Sequence, residues 1–324
     1  MKTPPFELQM PNNLAEAMEV AGRFIAAGEE FDWIAGGTDL IPNYKWHLNP
    51  KPNVISLANI SELNQLTRTH IGAMVRLQDL TENEEMHPLL ATAAGSIASV
   101  MIRRSATVGG NICLDTRCFW YNQSEDWRQS IDWCHKCDCG TEADCRVIQN
   151  QNDLCVATYQ ADLAPALICL NATIHLASPN GLREMPLSDF FELDGMKKNV
   201  LNRGEIVTHI TLLEDSYSLI GAYHKLSQRE TWDFPEAGIA ATWDGKSLSS
   251  LKIASTGIES IPRDHSEQVE AAIESWNGSQ SIDELSESVR KSVKPVNNTG
   301  FQPSYRRKMV KVLTRRSLKQ LGIK

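Results

Sequence analysis

Ala35-Gly36-Gly37-Thr38-Asp39 is the stretch of sequence that decides the fold, and a second glycine pair follows in Val108-Gly109-Gly110-Asn111. Glycine lets backbone N–H groups approach a phosphate without a Cβ in the way, and the neighbouring Thr, Asp and Asn side chains add hydrogen bonds. Neither pair has the Gly-x-Gly-x-x-Gly spacing of a dinucleotide-binding fold. One pair alone most often marks a simple turn, whereas two pairs, each after an apolar segment, indicate a phosphate-binding site.

The residues around the first pair predict alternating helices and short strands. Apolar residues at helical spacing predict a helix from Leu14 to about Ala27, which Gly28 can end. Short apolar runs predict strands at Phe31–Ala35 and Val54–Leu57 and a hairpin over Ile71–Leu77. A packed helix is expected over Pro88–Val100, a second glycine turn at 107–111, and strand-rich chain over Leu187–Phe191 and Ile206–Leu212.

The second half of the chain predicts a separate α+β domain after a linker near Glu214–Ser218. Strands of a meander are expected over 222–226, 237–243 and 251–254, followed by helices near 265–275, 282–292 and 304–321. We therefore expect two domains, 1–214 and 218–324. The basic run that begins Arg306-Arg307-Lys308 is interpreted as a solvated helix face, and a contact with a partner subunit is the alternative.

Composition excludes several classes of protein. The chain has 324 residues, of which 42% are hydrophobic and 22% charged, as in globular proteins. A net charge of −8 argues against nucleic acid as a partner, because phosphate backbones are bound mainly by surplus Lys and Arg. No stretch approaches the roughly 20 apolar residues that span a bilayer. The first seven residues lack the apolar core of a signal peptide, so we expect a cytoplasmic protein.

Cysteines are concentrated in one segment, at about 113–158, which carries seven of the eight. The segment contains few aliphatic residues and cannot build a core of its own. In a reducing compartment, such clustering indicates metal or cluster ligation more readily than disulfides. The spacing alone suits tetrahedral zinc as well as iron–sulfur, and Cys134-His135-Lys136-Cys137 would by itself suit a zinc knuckle.

The two glycine pairs resemble the flavin pyrophosphate-binding segments of the medium subunits of the xanthine oxidase and carbon monoxide dehydrogenase family. In that family, Gly-Gly-Asn-Ile leads quickly into Ala/Ser-Asp-Leu-x-Pro. Here Gly109–Ile112 and Ala161–Ala166 match both parts, with the cysteine-rich segment between them. The resemblance extends through Lys225–Asp233 to the C-terminal helix. It implies a two-lobed FAD-binding domain of the vanillyl-alcohol-oxidase/PCMH type and a carbon-monoxide-dehydrogenase-flavoprotein-like C-terminal domain.

The resemblance also implies which residues contact FAD. The first segment would wrap the diphosphate, Asp162 would hydrogen-bond the cofactor, and Lys225 and Asp233 would lie near the ring system. The complete set is Ile34, Ala35, Gly36, Gly37, Thr38, Asp39, Leu40, Ile41, Ile97, Thr107, Val108, Gly109, Gly110, Asn111, Asp162, Ile206, Lys225 and Asp233.

Within this family, the sequence around the cysteines is similar to that of the β subunit of the 4-hydroxybenzoyl-CoA reductase type, which carries a 4Fe–4S cluster in such an insertion. That resemblance implies Cys118, Cys134, Cys145 and Cys155 as the four thiolate ligands. Cys137 and Cys139 are additions to the pattern, and the stretch between Cys134 and Cys145 is longer. The flavin context, which supplies an electron-transfer partner, favours iron–sulfur over zinc.

The function implied by the resemblance is that of an electron-transfer subunit with no catalytic residue for the organic substrate. Reduced ferredoxin would supply electrons to the 4Fe–4S cluster, which would pass them through FAD to 2Fe–2S centres in a small subunit. A molybdopterin cofactor in a large subunit would then remove the phenolic hydroxyl of 4-hydroxybenzoyl-CoA, in a dimer of heterotrimers. The alternatives are the FAD subunit of a purine or aldehyde molybdenum hydroxylase, and a zinc-stabilised flavoprotein docking subunit.

Overall fold

The computed structural model describes residues 2–136, 143–150 and 153–323. Its helices are α1 (Leu14–Ala27), α2 (Leu40–Lys45), α3 (Leu77–Glu82), α4 (Pro88–Gly95), α5 (Val100–Arg103), α6 (Val108–Ile112), α7 (Glu125–Ser130), α8 (Leu163–Cys169), α9 (Ser266–Ile273), α10 (Ser279–Ser292) and α11 (Pro303–Gln320). Its strands are β1 (Glu7–Gln9), β2 (Phe31–Ile34), β3 (Asn53–Ser56), β4 (His70–Gly72), β5 (Thr173–Ser178), β6 (Gly181–Pro186), β7 (Ile206–Thr211), β8 (Ile220–Leu226), β9 (Ala237–Trp243), β10 (Lys252–Thr256) and β11 (Arg263–Asp264).

Three sheets organise the described chain. The first is parallel, in the order β1-β3-β2, and α1 packs against β3. The second is antiparallel, in the order β4-β7-β5-β6, and forms one core with α3, α4 and α8. The third is an antiparallel meander, β11-β10-β9-β8, which α10 and α11 cover with a second core. The mixed helices and sheets confirm the α+β fold class.

The predicted first helix is confirmed at both ends. The side chain of Asn13 accepts a hydrogen bond from the backbone N–H of Glu16 at 2.9 Å, which satisfies one of the helix's unpaired donors. Gly28 ends the helix in the left-handed region with φ +71°, a conformation that costs glycine little. Ala17, Val20 and Ala21 form the buried face.

The predicted hairpin over Ile71–Leu77 is wrong. Within it only the short strand β4 forms, and it pairs with β7, which lies far along the chain. Gly72 packs so closely on the backbone of Leu63 that a Cβ there would overlap the Leu63 carbonyl oxygen. Leu77 then begins α3, with its N–H bonded to the carbonyl of Ala106. A tertiary contact therefore replaces the local pairing that the pattern suggested.

Two other predicted segments also differ from the structure. The helix expected over Pro88–Val100 ends at Gly95, and Ala98 takes φ +44° before α5 begins. The guanidinium of Arg103 donates to the carbonyl of Ile97 at 2.8 Å and stabilises the non-helical chain between α4 and α5. Leu187–Phe190 forms a short 3-10 helix rather than a strand. The predicted meander and the three C-terminal helices are confirmed within a few residues at each end.

Arg306 corrects the interpretation of the basic run as a solvated face. Its side chain is fully buried, and its guanidinium donates to the carbonyls of Glu236 at 3.0 Å, Val296 at 3.0 Å and Gly257 at 2.6 Å. The Glu236 carboxylate lies 3.6 Å from Nε. A buried charge is tolerated only when it is paired and fully hydrogen-bonded, and these partners meet that requirement.

No helix in the described part of the chain is both long enough and apolar enough to cross a membrane.

We expect Arg306→Met to lower the free energy of unfolding by about 3 kcal/mol, because three carbonyls and a carboxylate lose their buried partner. Urea unfolding followed by tryptophan fluorescence measures this change. Lys308→Met is the matched control, since Lys308 lies on the same helix and is exposed. Equal effects of the two substitutions would show that the Arg306 contacts do not stabilise the fold.

Candidate functional site

The two glycine pairs identified in the sequence meet in space. A Cβ on Gly36 would overlap the carbonyl oxygen of Ser105 and lie 2.7 Å from its carbonyl carbon. Gly37 has φ +67°, which disfavours any other residue type. The side chains of Ile34 and Ile41 pack beneath it, 3.2 Å and 3.4 Å from where its Cβ would be. The first turn therefore lies directly against the chain that leads into the second.

The second glycine pair is helical rather than a simple turn. Thr107 caps α6, with its hydroxyl accepting from the N–H of Gly110 at 3.2 Å. The N–H of Gly109 donates to the carbonyl of Ala73 at 2.8 Å, and a Cβ at this glycine would lie 2.8 Å from the Cβ of Ala73. The predicted turn at 107–111 is thus wrong in conformation. Glycine is nevertheless required there, because the helix packs closely against its neighbour.

A cavity of about 710 Å³ opens beside these segments. Most of the residues that the resemblance assigned to the cofactor line it: Ala35, Gly36, Gly37, Thr38, Asp39, Leu40, Ile97, Thr107, Gly109, Gly110, Asn111, Asp162, Ile206 and Asp233. Four of the assigned residues do not line the cavity: Ile34, Ile41, Val108 and Lys225. Ile34 and Ile41 support the first turn, and Val108 is buried in the core. Which residues touch the cofactor stays a prediction.

Asp162 is held at the cavity wall by three neighbours. Its Oδ1 accepts from the hydroxyl of Tyr223 at 2.8 Å and from Ser96 at 3.3 Å, and it lies 3.0 Å from the Nζ of Lys225. Burial raises the pKa of Asp162, and the nearby Lys225 ammonium opposes that rise. Lys225 also donates to the carbonyl of Ser96 at 2.9 Å. Its role in this structure is therefore to orient and neutralise Asp162.

The cysteine-rich segment supplies one wall of the cavity, which the sequence analysis missed. The lining residues from this segment are Cys113, Leu114, Asp115, Tyr121 and Lys136. Trp232 and Phe234, from the loop after β8, also line the cavity. Position in the chain offered one signal, because Cys113 directly follows the second glycine helix.

Arg117 ties this segment to the first glycine turn. Its guanidinium forms an ion pair with Asp39, donates to the side chain of Asn43 at 3.3 Å and lies 4.9 Å from the ring centroid of Phe234. Its backbone exchanges two hydrogen bonds of 2.7 Å with Thr158. Arg117 therefore brings the two ends of the cysteine-rich segment together and attaches them to the wall of the cavity.

Four cysteines of the segment are buried together: Cys118, Cys134, Cys145 and Cys155. Cys118, Cys134 and Cys155 pack in one cluster with Tyr121. The sulfur of Cys145 accepts from the N–H of Ile148 at 3.5 Å, and that of Cys155 accepts from Ala157 at 3.4 Å. These are the four cysteines that the resemblance implied. Cys137 and Cys139 lie outside the described residues.

Burial keeps the thiols of Cys118 and Cys155 protonated in the protein alone. It raises the pKa of Cys118 to about 12 and that of Cys155 to about 11, although the Lys136 ammonium lowers both. The sulfurs of Cys134 and Cys145 lie near enough to Cys155 that their charge would raise its pKa further. A bound cation would have to displace these protons. Within the described ranges, no three His, Cys, Asp or Glu side chains are close enough to hold a single metal ion.

Comparison with known proteins identifies the family of the chain. Residues 4–212 match the family described as FAD binding domain in molybdopterin dehydrogenase. The chain belongs to this family. Residues 222–321 match the CO dehydrogenase flavoprotein C-terminal domain. The protein is therefore an FAD-binding medium subunit of the molybdenum hydroxylase family and part of an oxidoreductase.

Relatives cover nearly the whole chain. The glyceraldehyde dehydrogenase medium chain of Sulfolobus acidocaldarius is 25% identical over 95% of this chain and 96% of its own length. The xanthine dehydrogenase FAD-binding subunit of Escherichia coli O157:H7 is 24% identical over 95% and 92%. Among solved structures, a carbon monoxide dehydrogenase from Hydrogenophaga pseudoflava that lacks the Mo-pyranopterin moiety aligns with a TM-score of 0.77. It is 23% identical and covers 99% of both chains, which shows the fold.

The cavity fits FAD. Gly36, Gly37, Gly109 and Gly110 all line the cavity, so backbone without Cβ atoms forms the surface that a diphosphate would approach. Bound FAD can exchange one or two electrons, and the protein supplies its placement and electrostatics. In this chain, the glycine segments would hold the diphosphate, and Asp162, oriented by Lys225, would present a carboxylate oxygen to the cofactor.

We expect Gly36→Ala to weaken FAD binding roughly tenfold or more and to destabilise the fold by about 2 kcal/mol, because the new methyl group forces the two glycine segments apart. Flavin fluorescence quenching and urea unfolding measure the two effects. Gly22→Ala is the control: its Cβ would meet only Pro179 at 3.7 Å in the middle of α1, so we expect unchanged affinity and slightly higher stability. Normal FAD affinity in Gly36→Ala would contradict the role of the close contact.

The Asp162–Lys225 pair predicts a pH-dependent effect of Lys225→Met. An acid whose pKa is higher in the folded state keeps its proton longer when folded, so the free energy of unfolding falls as pH rises above the ordinary value of 3.8. Removing Lys225 raises the pKa of Asp162 further. Relative to the wild type, Lys225→Met should therefore lose little free energy of unfolding near pH 4 and about 2 kcal/mol at pH 7. Lys225→Arg should retain most of the wild-type stability at both pH values. Unfolding curves at the two pH values test this, and an equal loss at both would refute the ionic role.

Proposed function

We propose that this chain is the electron-transfer subunit of a molybdenum-containing aromatic acyl-CoA reductase of the 4-hydroxybenzoyl-CoA reductase type, and that it binds a 4Fe–4S cluster as well as FAD. The observation that carries the proposal is the group of four buried cysteines beside the flavin cavity. Cys118, Cys134, Cys145 and Cys155 are the proposed ligands, because thiolates hold such clusters in sets of four.

The cysteine group and the cavity share a wall. Tyr121 packs against the cysteines and also lines the cavity. Arg117 precedes Cys118 and pairs with Asp39, another lining residue. A single layer of side chains thus separates the proposed cluster site from the proposed flavin site. Close placement of two redox centres is what electron transfer between them requires, and no side chain of this subunit needs to act on the organic substrate.

The surroundings of the cysteines support a cluster of several iron ions. Backbone N–H groups point at the sulfurs of Cys145 and Cys155, and hydrogen bonds to sulfur tune iron–sulfur centres. A four-iron cluster spreads its thiolate ligands further apart than one ion does. This agrees with four buried cysteines that do not converge, within the described residues, on a single-ion site.

Zinc is the alternative for this segment. Both ring nitrogens of His135 are buried and lack a hydrogen-bond partner within the described residues, which is compatible with a role as a ligand. In that case the segment would be a docking module, and the subunit would hold FAD as its single redox centre. The metal content of the purified chain separates the two readings.

The partners follow from the same proposal. The similar proteins are called medium chains or FAD-binding subunits, names that imply further subunits. We propose a large molybdopterin subunit and a small 2Fe–2S subunit in a cytoplasmic dimer of heterotrimers. Ferredoxin supplies the electrons, and 4-hydroxybenzoyl-CoA loses its phenolic hydroxyl to give benzoyl-CoA.

The second candidate is the FAD subunit of a purine or aldehyde hydroxylase that runs in the oxidative direction. The names of the relatives favour it, since they specify glyceraldehyde and xanthine dehydrogenases. The cysteine-rich segment favours the reductase. Assays of the purified complex decide between them: reduction of 4-hydroxybenzoyl-CoA with reduced ferredoxin, against dye reduction with aldehydes or purines.

The metal centre is tested on the full chain purified without oxygen. We expect four iron and four acid-labile sulfide ions per chain and an EPR signal after reduction with dithionite. Serine at each of the four proposed ligands should remove most of the iron. Cys169→Ala and Cys113→Ala are controls that should retain it, because Cys169 is buried in the main core and Cys113 faces the flavin cavity. One zinc per chain, lost in His135→Gln, would overturn the cluster.

A further inference from the structure

Lys136 occupies the wall between the cysteine group and the flavin cavity. Its side chain is only 7% exposed, and it lines the cavity. Nζ donates to the Thr116 hydroxyl at 2.6 Å and carbonyl at 2.9 Å, and to Asp115 Oδ1 at 3.1 Å. It also lies 4.7 Å from the ring centroid of Tyr121. A buried ammonium group is costly unless it is well paired, so its position calls for an explanation.

The charges around the cavity leave a positive surplus at this wall. Asp115 also lies 3.3 Å from the Nζ of Lys198, so two lysines share one carboxylate. These two lysines hold the pKa of Asp115 at about 2 in spite of its burial, and Asp115 is therefore ionised at neutral pH. The group of Asp115, Lys136 and Lys198 carries one net positive charge.

The other acids that line the cavity do not cancel this charge, because most have a cation of their own. The pairs within the described chain are Asp39 with Arg117, Asp162 with Lys225, Glu205 with Arg183, and Asp233 with Arg229. The Tyr44 hydroxyl donates a hydrogen bond to the Asp32 carboxylate at 2.8 Å; burial raises the pKa of Asp32, while this hydrogen bond and the charges of Lys51 and Lys198 lower it. Lys198 is thus shared between Asp115 and Asp32, and the Lys136 ammonium beside the cavity is available to an anion there.

We propose that Lys136, with Lys198, binds the anionic diphosphate of FAD, and that it thereby couples metal binding by the cysteines to flavin binding. The inference rests on the proposed metal centre, whichever metal it holds. Lys136 is two residues from Cys134, so ligation of that cysteine fixes the backbone that carries the lysine. An ordered lysine then meets the diphosphate without a further entropic cost, and by linkage FAD strengthens metal binding by the same factor.

The first test measures FAD affinity of the full-length chain by flavin fluorescence quenching. We expect Lys136→Met to raise the Kd for FAD roughly tenfold, a loss equivalent to about 1.4 kcal/mol, and Lys136→Arg to restore most of the affinity. Lys197→Met is the matched control, since Lys197 is exposed and pairs with Glu192 outside the cavity. The Kd should rise with salt in the wild type and less steeply in Lys136→Met. The assignment would be overturned if the Kd of Lys136→Met for FAD equalled that of the wild type, or if salt raised the two Kd values equally steeply.

The coupling is tested by removing the metal with a chelator. We expect the metal-depleted wild type to bind FAD about as weakly as Lys136→Met, and depletion to add little to the loss in that variant. Equal losses on depletion in both proteins would show that the metal acts independently of Lys136 and would refute the coupling. Metal analysis keeps the outcomes distinct: finding zinc refutes the proposed cluster, while the Lys136 and depletion results still decide this inference.

Discussion

The close packing of Gly36 on the Ser105 carbonyl is the constraint on which the site depends. A single methyl group at that glycine would overlap the Ser105 carbonyl oxygen, so the two glycine segments can meet only without a side chain. Their meeting places the first turn and the start of α6 on one cavity. The parallel sheet positions the first segment, and the antiparallel sheet, through Ala73, positions the second. The cavity therefore lies between segments that two separate sheets position.

The cysteine-rich segment belongs to this site as much as the glycines do. It begins immediately after α6, and Arg117 and Thr158 close its base with paired backbone hydrogen bonds. A segment with so few aliphatic residues cannot be stabilised by a core of its own. Its order comes from the ion pair of Arg117 with Asp39 of the flavin domain and from the hydrogen bonds that Lys136 makes to Thr116 within the segment. This dependence gives the proposed metal centre and the proposed flavin site a physical route by which each can affect the other.

Two buried charged groups, Asp162 and Arg306, are each offset by hydrogen bonds and by a side chain of opposite charge. Asp162 is offset by Lys225 and two hydroxyl groups, and Arg306 by three carbonyls and Glu236. Asp115 differs from these groups, because its single carboxylate pairs with two lysines, Lys136 and Lys198. An unbalanced charge in a cavity of low dielectric is expensive unless a ligand completes it, which makes this group informative about the ligand.

The sequence by itself determined the elements whose burial is periodic and local. These are α1 with its end at Gly28, the meander strands β8–β10 and the C-terminal helices. The sequence also determined the positions of the two glycine segments, although not the helical conformation of the second, and the clustering of cysteines in one insertion. It did not determine contacts between distant segments, since a hydrophobic pattern reports which face is buried but not what covers it. Pairing of β4 with β7, burial of Arg306, the role of Lys225 beneath Asp162 and the cysteine segment as a cavity wall were decided by tertiary structure. Each is an interaction whose energy exists only when chain far apart in sequence is brought together.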